Sequence, residues 1–261
     1  MSPAVPITPS IDRSRIVPPS VAANFISRKQ LFHLFETGLP GVTVVAAPAG
    51  YGKSSLVSQW AEYSDLPTVW LTVNSEDSIQ SFFAHVLAAI QVKFPDFGSD
   101  FENEPSANPL LNVQKLTGAA GELNQPFNFV LDNGPTDSAE VTSVAQAMID
   151  FLPNNVHLII VRRFTPATSL ARYASLGNLS LITSQDLKFS EEEVSRIAEI
   201  NGLTEIDSGS AQLIARCEGW PAAVQMMTRS ISRGQQYSQF EMSGSTNPLA
   251  ILARETFNIL N

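Results

Sequence analysis

Residues 47–55 read "APAGYGKSS", and the fold follows from what flanks them. Before them lies "GVTVVAA", β-branched and apolar on both faces, the composition of a strand buried in a parallel sheet. After them "KSSLVSQWAEY" reads as a helix. A buried strand, a glycine-rich turn and a helix opening on Lys-Ser form a phosphate-binding loop. Each residue type has a reason. Gly50 and Gly52 let backbone N–H groups close around phosphate oxygens where a side chain would clash. Lys53 brings a point charge to the outer phosphates, Ser54 offers a hydroxyl to Mg²⁺, and the helix aims its N-terminus at the anion. Ala49, Gly50, Tyr51, Gly52, Lys53, Ser54 and Ser55 are therefore candidate nucleotide contacts. A glycine-rich turn beside a solvated lysine would share the letters.

Outward from the loop, strand and helix alternate. "PTVWLTV", "FNFVL", "VHLIIV" and "LSLIT" read as further strands, separated by helical stretches such as "SIQSFFAHVLAAIQVKF", "AEVTSVAQAMIDFL" and "TSLARYASLG". Residues 95–111 read as an irregular acidic loop. Five mostly apolar strands with helices between them predict an α/β fold, a P-loop NTPase with a five-stranded parallel sheet flanked by helices. From Ser190 the pattern is helical only. "SEEEV" is a capping box, with Ser190 as N-cap and Glu193 three residues on. The expected organisation is a disordered leader over 1–20, the nucleotide-binding domain over 21–187, a small helical subdomain over 188–232, a flexible linker over 233–247 and one more helix over 248–261. That last helix has little to pack on, so the chain is expected to be part of something longer.

Two more stretches complete the candidate site. "FNFVLD" ends on Asp132, a hard oxygen ligand for Mg²⁺. A strand-end Asp starting a turn at Asn133-Gly134 is the alternative. "LIIVRRF" brings Arg162 and Arg163 to the C-terminal edge of the sheet, where ligands sit in such folds. One of the two could sense a γ-phosphate; both could equally be solvated.

The bulk properties narrow the field. Hydrophobic residues make up 44% and charged residues 16%, with a net charge of -9. That allows a sizeable core and argues against DNA binding by this segment, whose basic residues do not cluster beyond "VRRF". One cysteine, Cys217, and three scattered histidines give no disulfide framework and no metal cage. Without a signal-like N-terminus or a long apolar run, a cytoplasmic protein with no membrane association is expected.

Taken in order, "FISRKQL", "APAGYGKSSLVSQW", "FVLDN", "LIIVRRFTP", "DLKFSEEEV" and "CEGWPAAVQMM" resemble the nucleotide-binding region of signal-transduction ATPases with numerous domains. Within that class they are most similar to the large MalT-like, LuxR-type bacterial transcription regulators. The resemblance implies a switch that takes ATP or ADP with Mg²⁺ and self-oligomerises when activated. It also implies a winged-helix subdomain beginning near 248, then sensor and helix-turn-helix domains in the same protein. It puts Ile26 and Arg28 near the adenine, Asp132 at Mg²⁺, Arg163 rather than Arg162 as the sensor arginine, and Pro221 of "GWP" over the base. The sequence departs from the family at Asn133, where a second acid is usual, at Asn74 in "WLTVN", and at Arg162, where Ser is usual. An amide takes no proton from water, so hydrolysis is expected to be weak or absent while binding survives. The competing expectations are an active ATPase using another acid such as Asp77 or Asp137, a kinase acting on a small molecule, and a nucleotide-free scaffold.

Overall fold

The computed structural model describes residues 10–20, 25–99, 101, 108–133, 139–163 and 170–233. Five parallel strands, β1 (Gly41–Ala46), β2 (Thr68–Thr72), β3 (Phe127–Asp132), β4 (Val156–Arg162) and β5 (Leu179–Thr183), form one sheet in the order β2-β3-β4-β1-β5. The sheet and its helical flanks are those the residue pattern predicts. β4 lies between β1 and β3, so the chain leaving β4 emerges between the phosphate loop and Asp132.

Alternation along the strands divides the core in two. Val42, Val44, Phe129, Leu131, Leu158 and Ile160 face one side, covered by α2 (Ile79–Gln91), α3 (Pro109–Gly121) and α4 (Ala139–Asp150). Val45, Val130, Ile159, Val161 and Ile182 face the other, covered by α1 (Lys53–Tyr63) and the 3₁₀ segment Lys29–Phe35. Each such side chain removed from water contributes roughly 1.5–3 kcal/mol. The second cluster is closed by Phe35 stacked on Trp60, with ring centroids 4.6 Å apart.

"KQLFHLF" forms a 3₁₀ helix. Its two buried aromatics, Phe32 and Phe35, sit three apart, a spacing that a 3₁₀ turn eclipses onto one face. Two local expectations are corrected. Residues 109–121 form α3, capped by the Asn108 side chain with Pro109 in the first turn, where the sequence reading placed the end of a loop and no helix. Ser10–Ser20 is no disordered leader. Its 3₁₀ turn Arg13–Ile16 buries Ile16 in the core. Arg15 donates to the Thr72 carbonyl at 2.9 Å and pairs with Asp77, while the Asp12 N–H donates to His85 Nε2 at 3.1 Å. The segment thus covers the open edge of β2, whose unpaired carbonyls would otherwise be available to another strand.

Beyond α5 (Ala171–Ser175), β5 and the single turn α6 (Ser184–Leu187), the chain enters α7 (Glu191–Ile200), α8 (Ser208–Ala215) and α9 (Pro221–Ser232). Their apolar faces meet in a separate cluster of Ile197, Leu213, Ile214, Ala223, Val224 and Met227. The expected linker 233–247 and final helix 248–261 lie almost wholly outside the described residues.

Candidate functional site

The turn after β1 is shaped for close approach. Gly50 and Gly52 have φ of 78° and 73°, and Gly52 heads α1 in the left-handed region that an L side chain rarely adopts. Lys53 Nζ donates to the Pro48 carbonyl at 2.8 Å, folding the ammonium back over its own loop. Burial holds its pKa below the ordinary ammonium value; Asp132 opposes that shift and Arg163 adds to it. Lys53, Asp132 and Arg163 therefore share one electrostatic environment.

Asp132 ends β3 on the α1 side of the sheet. It is 7% exposed, accepts from Ser54 Oγ at 2.8 Å and from the Asn133 N–H at 2.9 Å. Burial raises its pKa, while Ser54, the Asn133 N–H and Lys53 act against the rise. Ser54 hydroxyl and Asp132 carboxylate form a pair of hard oxygen donors, the chemistry Mg²⁺ selects. Among the described residues there is no cluster of three His, Cys, Asp or Glu that could hold a metal ion.

The two arginines differ in setting. Arg162 continues the Leu158 and Ile160 face, away from α1. Its Nε is buried without a hydrogen-bond partner among the described residues, and burial lowers its pKa. Arg163, one residue past the end of β4, is the arginine whose charge acts on Lys53.

Asn133 has φ of 60°, a left-handed conformation that Asn tolerates better than most residues. Its side-chain amide donates to the Val73 carbonyl at 3.3 Å. The group standing where a second acid was expected is thus a donor tying the end of β3 to the end of β2. Asp77, the alternative base, is committed to Arg15, the Asn74 N–H and Ser81 Oγ. Asp137 lies outside the described residues.

The helical subdomain reaches the loop directly. Trp220 Nε1 donates to the Ala49 carbonyl at 3.2 Å, and the Ala222 N–H to the Gly50 carbonyl at 3.0 Å. A Cβ at Gly50 would stand 2.7 Å from Ala222 Cβ. Tyr51 and Trp220 approach with ring centroids 6.4 Å apart. Pro221, between the two donors, is buried at the first position of α9.

"FISR" sits across this junction. Ile26 is buried in the helical cluster, and Gln59 of α1 grips the segment, donating to the Ile26 carbonyl and accepting the Arg28 N–H, both at 3.1 Å. The Arg28 guanidinium bonds to Glu193 and to the Leu187 and Lys188 carbonyls. Its charge is thereby committed within the protein. Gln59 and Glu193 are site neighbours that the sequence reading did not single out for this role.

No family model matches the chain. The HTH-type transcriptional regulator MalT of Serratia proteamaculans is 27% identical over 237 residues, 87% of this chain and 26% of its own length. MalT of Yersinia pestis is 28% identical over 199 residues, 72% of this chain and 22% of its own. The chain is homologous to the MalT regulators. It spans about a quarter of their length. Among solved structures, a Signal Transduction ATPase with Numerous Domains carrying a tetratricopeptide repeat sensor, from Pyrococcus horikoshii, superposes with TM-score 0.56 at 17% identity. The match covers 79% of this chain and 30% of that one. The shared fold is that of the P-loop ATPases, a five-stranded parallel sheet flanked by helices. Homology to MalT and this fold together support a nucleotide-binding regulatory module.

Proposed function

We propose that the chain is the nucleotide-responsive switch module of a transcription regulator, binding ATP or ADP with Mg²⁺ and hydrolysing ATP slowly or not at all. The observation that carries this reading is the convergence at one sheet edge of Lys53, the Ser54–Asp132 pair and Arg163, with the helical subdomain bonded to the loop carbonyls of Ala49 and Gly50. In this reading the loop from Ala49 to Ser55 cradles the phosphates, and Ser54 and Asp132 hold the metal. Magnesium supplies charge neutralisation at the phosphate oxygens. Arg163 senses the terminal phosphate. Ile26 and Arg28 border the base through their backbone, since the guanidinium is engaged elsewhere, and Pro221 closes over it from α9.

Slow turnover follows from Asn133. Its amide can neither accept a proton from water nor leave the Val73 carbonyl without a loss, and a missing general base lowers rates by ~10²–10⁴. The inducer, the promoter and self-oligomerisation belong, in this proposal, to the longer regulator, in which sensor and helix-turn-helix domains bind the signal and the DNA. Such a protein works in the cytoplasm. Within the described residues, no helix is long and apolar enough to cross a membrane.

Titration of the purified chain with fluorescent ATP and ADP, with and without Mg²⁺, tests the proposal. Binding of either at or below ~100 μM is expected, within the common range for nucleotide enzymes. Absence of binding would sink it.

A further inference from the structure

Among the described residues the helical subdomain touches the phosphate loop through two hydrogen bonds, and a short distance away a stronger contact fastens it to the sheet domain. Glu193 is at once the capping carboxylate of α7, accepting the Ser190 N–H at 2.9 Å, and the counter-ion of Arg28. Arg28 Nε donates to Glu193 Oε1 at 2.7 Å and Nη2 to Oε2 at 3.2 Å, a forked pair. The same guanidinium donates through Nη1 to the Leu187 carbonyl at 2.9 Å and through Nη2 to the Lys188 carbonyl at 3.0 Å. It also lies over the Phe189 ring at 5.1 Å. Residues 187–189 are the connection between the two bodies, so Arg28 grips the hinge as well as the element beyond it. Gln30, exposed at the rim, adds a second donor to Glu193 Oε1 at 2.8 Å. Arg28 is in turn fixed to α1 by Gln59.

We infer that Glu193 is a latch and Arg28 its keeper: together they hold the helical subdomain closed over the phosphate loop, and the subdomain opens when this pair parts. Both groups are buried, so partial separation would leave an uncompensated charge in a low-dielectric setting. The junction therefore has two states, fastened or released, rather than a continuum of openings. The inference rests on the switch reading only for its consequence, which is that the latch controls nucleotide release. The closure itself can be measured without nucleotide.

The reporter is the Ala222 amide. Ala222 is the second residue of α9, where the helix offers its N–H no acceptor, and its partner is the Gly50 carbonyl across the junction. Hydrogen–deuterium exchange by mass spectrometry on the 261-residue chain, free of nucleotide, should show this amide protected. Gln30→Glu sets a second carboxylate beside Glu193 from an exposed position. It should speed exchange of the peptide containing Ala222 about tenfold or more at pH 7, as like charges in contact demand, while β3 peptides stay protected. Glu193→Gln should act in the same direction. If Glu193→Gln fails to fold by circular dichroism, Gln30→Glu decides alone. Unchanged exchange at Ala222 in folded Gln30→Glu overturns the latch. Release of fluorescent ADP should accelerate in parallel, and faster exchange with unaltered ADP release overturns its control of the nucleotide. If the unmodified chain binds no nucleotide while exchange responds as stated, the switch reading fails and the latch stands.

Discussion

Two turns leave the C-terminal edge of the same sheet, one after β1 and one after β3, and both enter the left-handed region. They solve different problems. After β1 the residues are Gly50 and Gly52, with no side chain to fill the space: a Cβ at Gly52 would meet nothing within 4 Å, and the Gly50 carbonyl accepts from another subdomain. After β3 the residue is Asn133, whose side chain turns back to the Val73 carbonyl. In the proposed reading the first turn takes the ligand, with the helical subdomain packed on its Gly50 side. The second is closed on the protein itself, and only Asp132 beside it faces the loop. This difference is what the proposal of tight binding with slow turnover rests on.

The comparison breaks first at Lys53. Lys53→Ala removes a charge that the backbone cradle cannot replace, and nucleotide affinity should fall by about a hundredfold or more; calorimetry that finds affinity unchanged would mean that the open turn is not a binding turn.

Next in size is an acid effect on the strand between the two turns. His157 in β4 is 4% exposed, bonded to Thr43 Oγ1 at 2.9 Å and edge-on to Trp60. Burial lowers its pKa from 6.5 to about 4. Its folded pKa is depressed, so the unfolded chain takes up the proton first, and stability present above pH 6.5 is lost as pH falls toward about 4. The loss should approach about 3 kcal/mol at the lower end. Melting curves of the unmodified chain should drop through that window, and those of His157→Gln should be flatter. Parallel curves would show that another group governs acid stability.

Gly50→Ala strains the loop and crowds Ala222 together. A loss of about 1–3 kcal/mol in stability is expected, with faster exchange at the Ala222 amide. Gly52→Ala, which has strain without crowding, should leave that amide protected. Equal effects would remove the distinction between them.

The smallest effect is the most informative about chemistry. Asn133→Asp forfeits the donation to Val73 and should lower stability by about 1 kcal/mol, while basal hydrolysis rises and affinity stays nearly constant. A measurable basal rate that does not respond would place the base elsewhere.

The phosphate loop, all five strands and the Ser190–Glu193 capping box were legible because each is written in contiguous residues whose types follow from local chemistry. Helix α3 was not. Gly118, Ala119, Ala120 and Gly121 dilute its second half with small residues, although Val113, Leu116, Thr117 and Ala120 recur at helical spacing behind the Asn108-Pro109 start. The Pro- and Ser-rich start of the chain read as an extended leader, although Ile16 and Arg15 pack it against β2, because packing of one isoleucine and one arginine leaves no period to detect. The Arg28–Glu193 pair joins residues 165 apart in the chain. Nothing in either neighbourhood names the other, and only the fold could show that a residue expected beside the base carries its charge to α7. Arg163 was preferred over Arg162 by resemblance alone; the fold adds that its charge is the one that reaches Lys53.

The proposed site holds Mg-nucleotide and scarcely consumes it. One sample tests it: the purified chain with radiolabelled ATP and Mg²⁺, followed for bound nucleotide and for released phosphate together. Saturable binding at or below ~100 μM with turnover below ~0.1 s⁻¹ is the expected result, well under the ~1–10³ s⁻¹ of working enzymes. No binding at that concentration, or turnover above ~1 s⁻¹ without a partner, would contradict it.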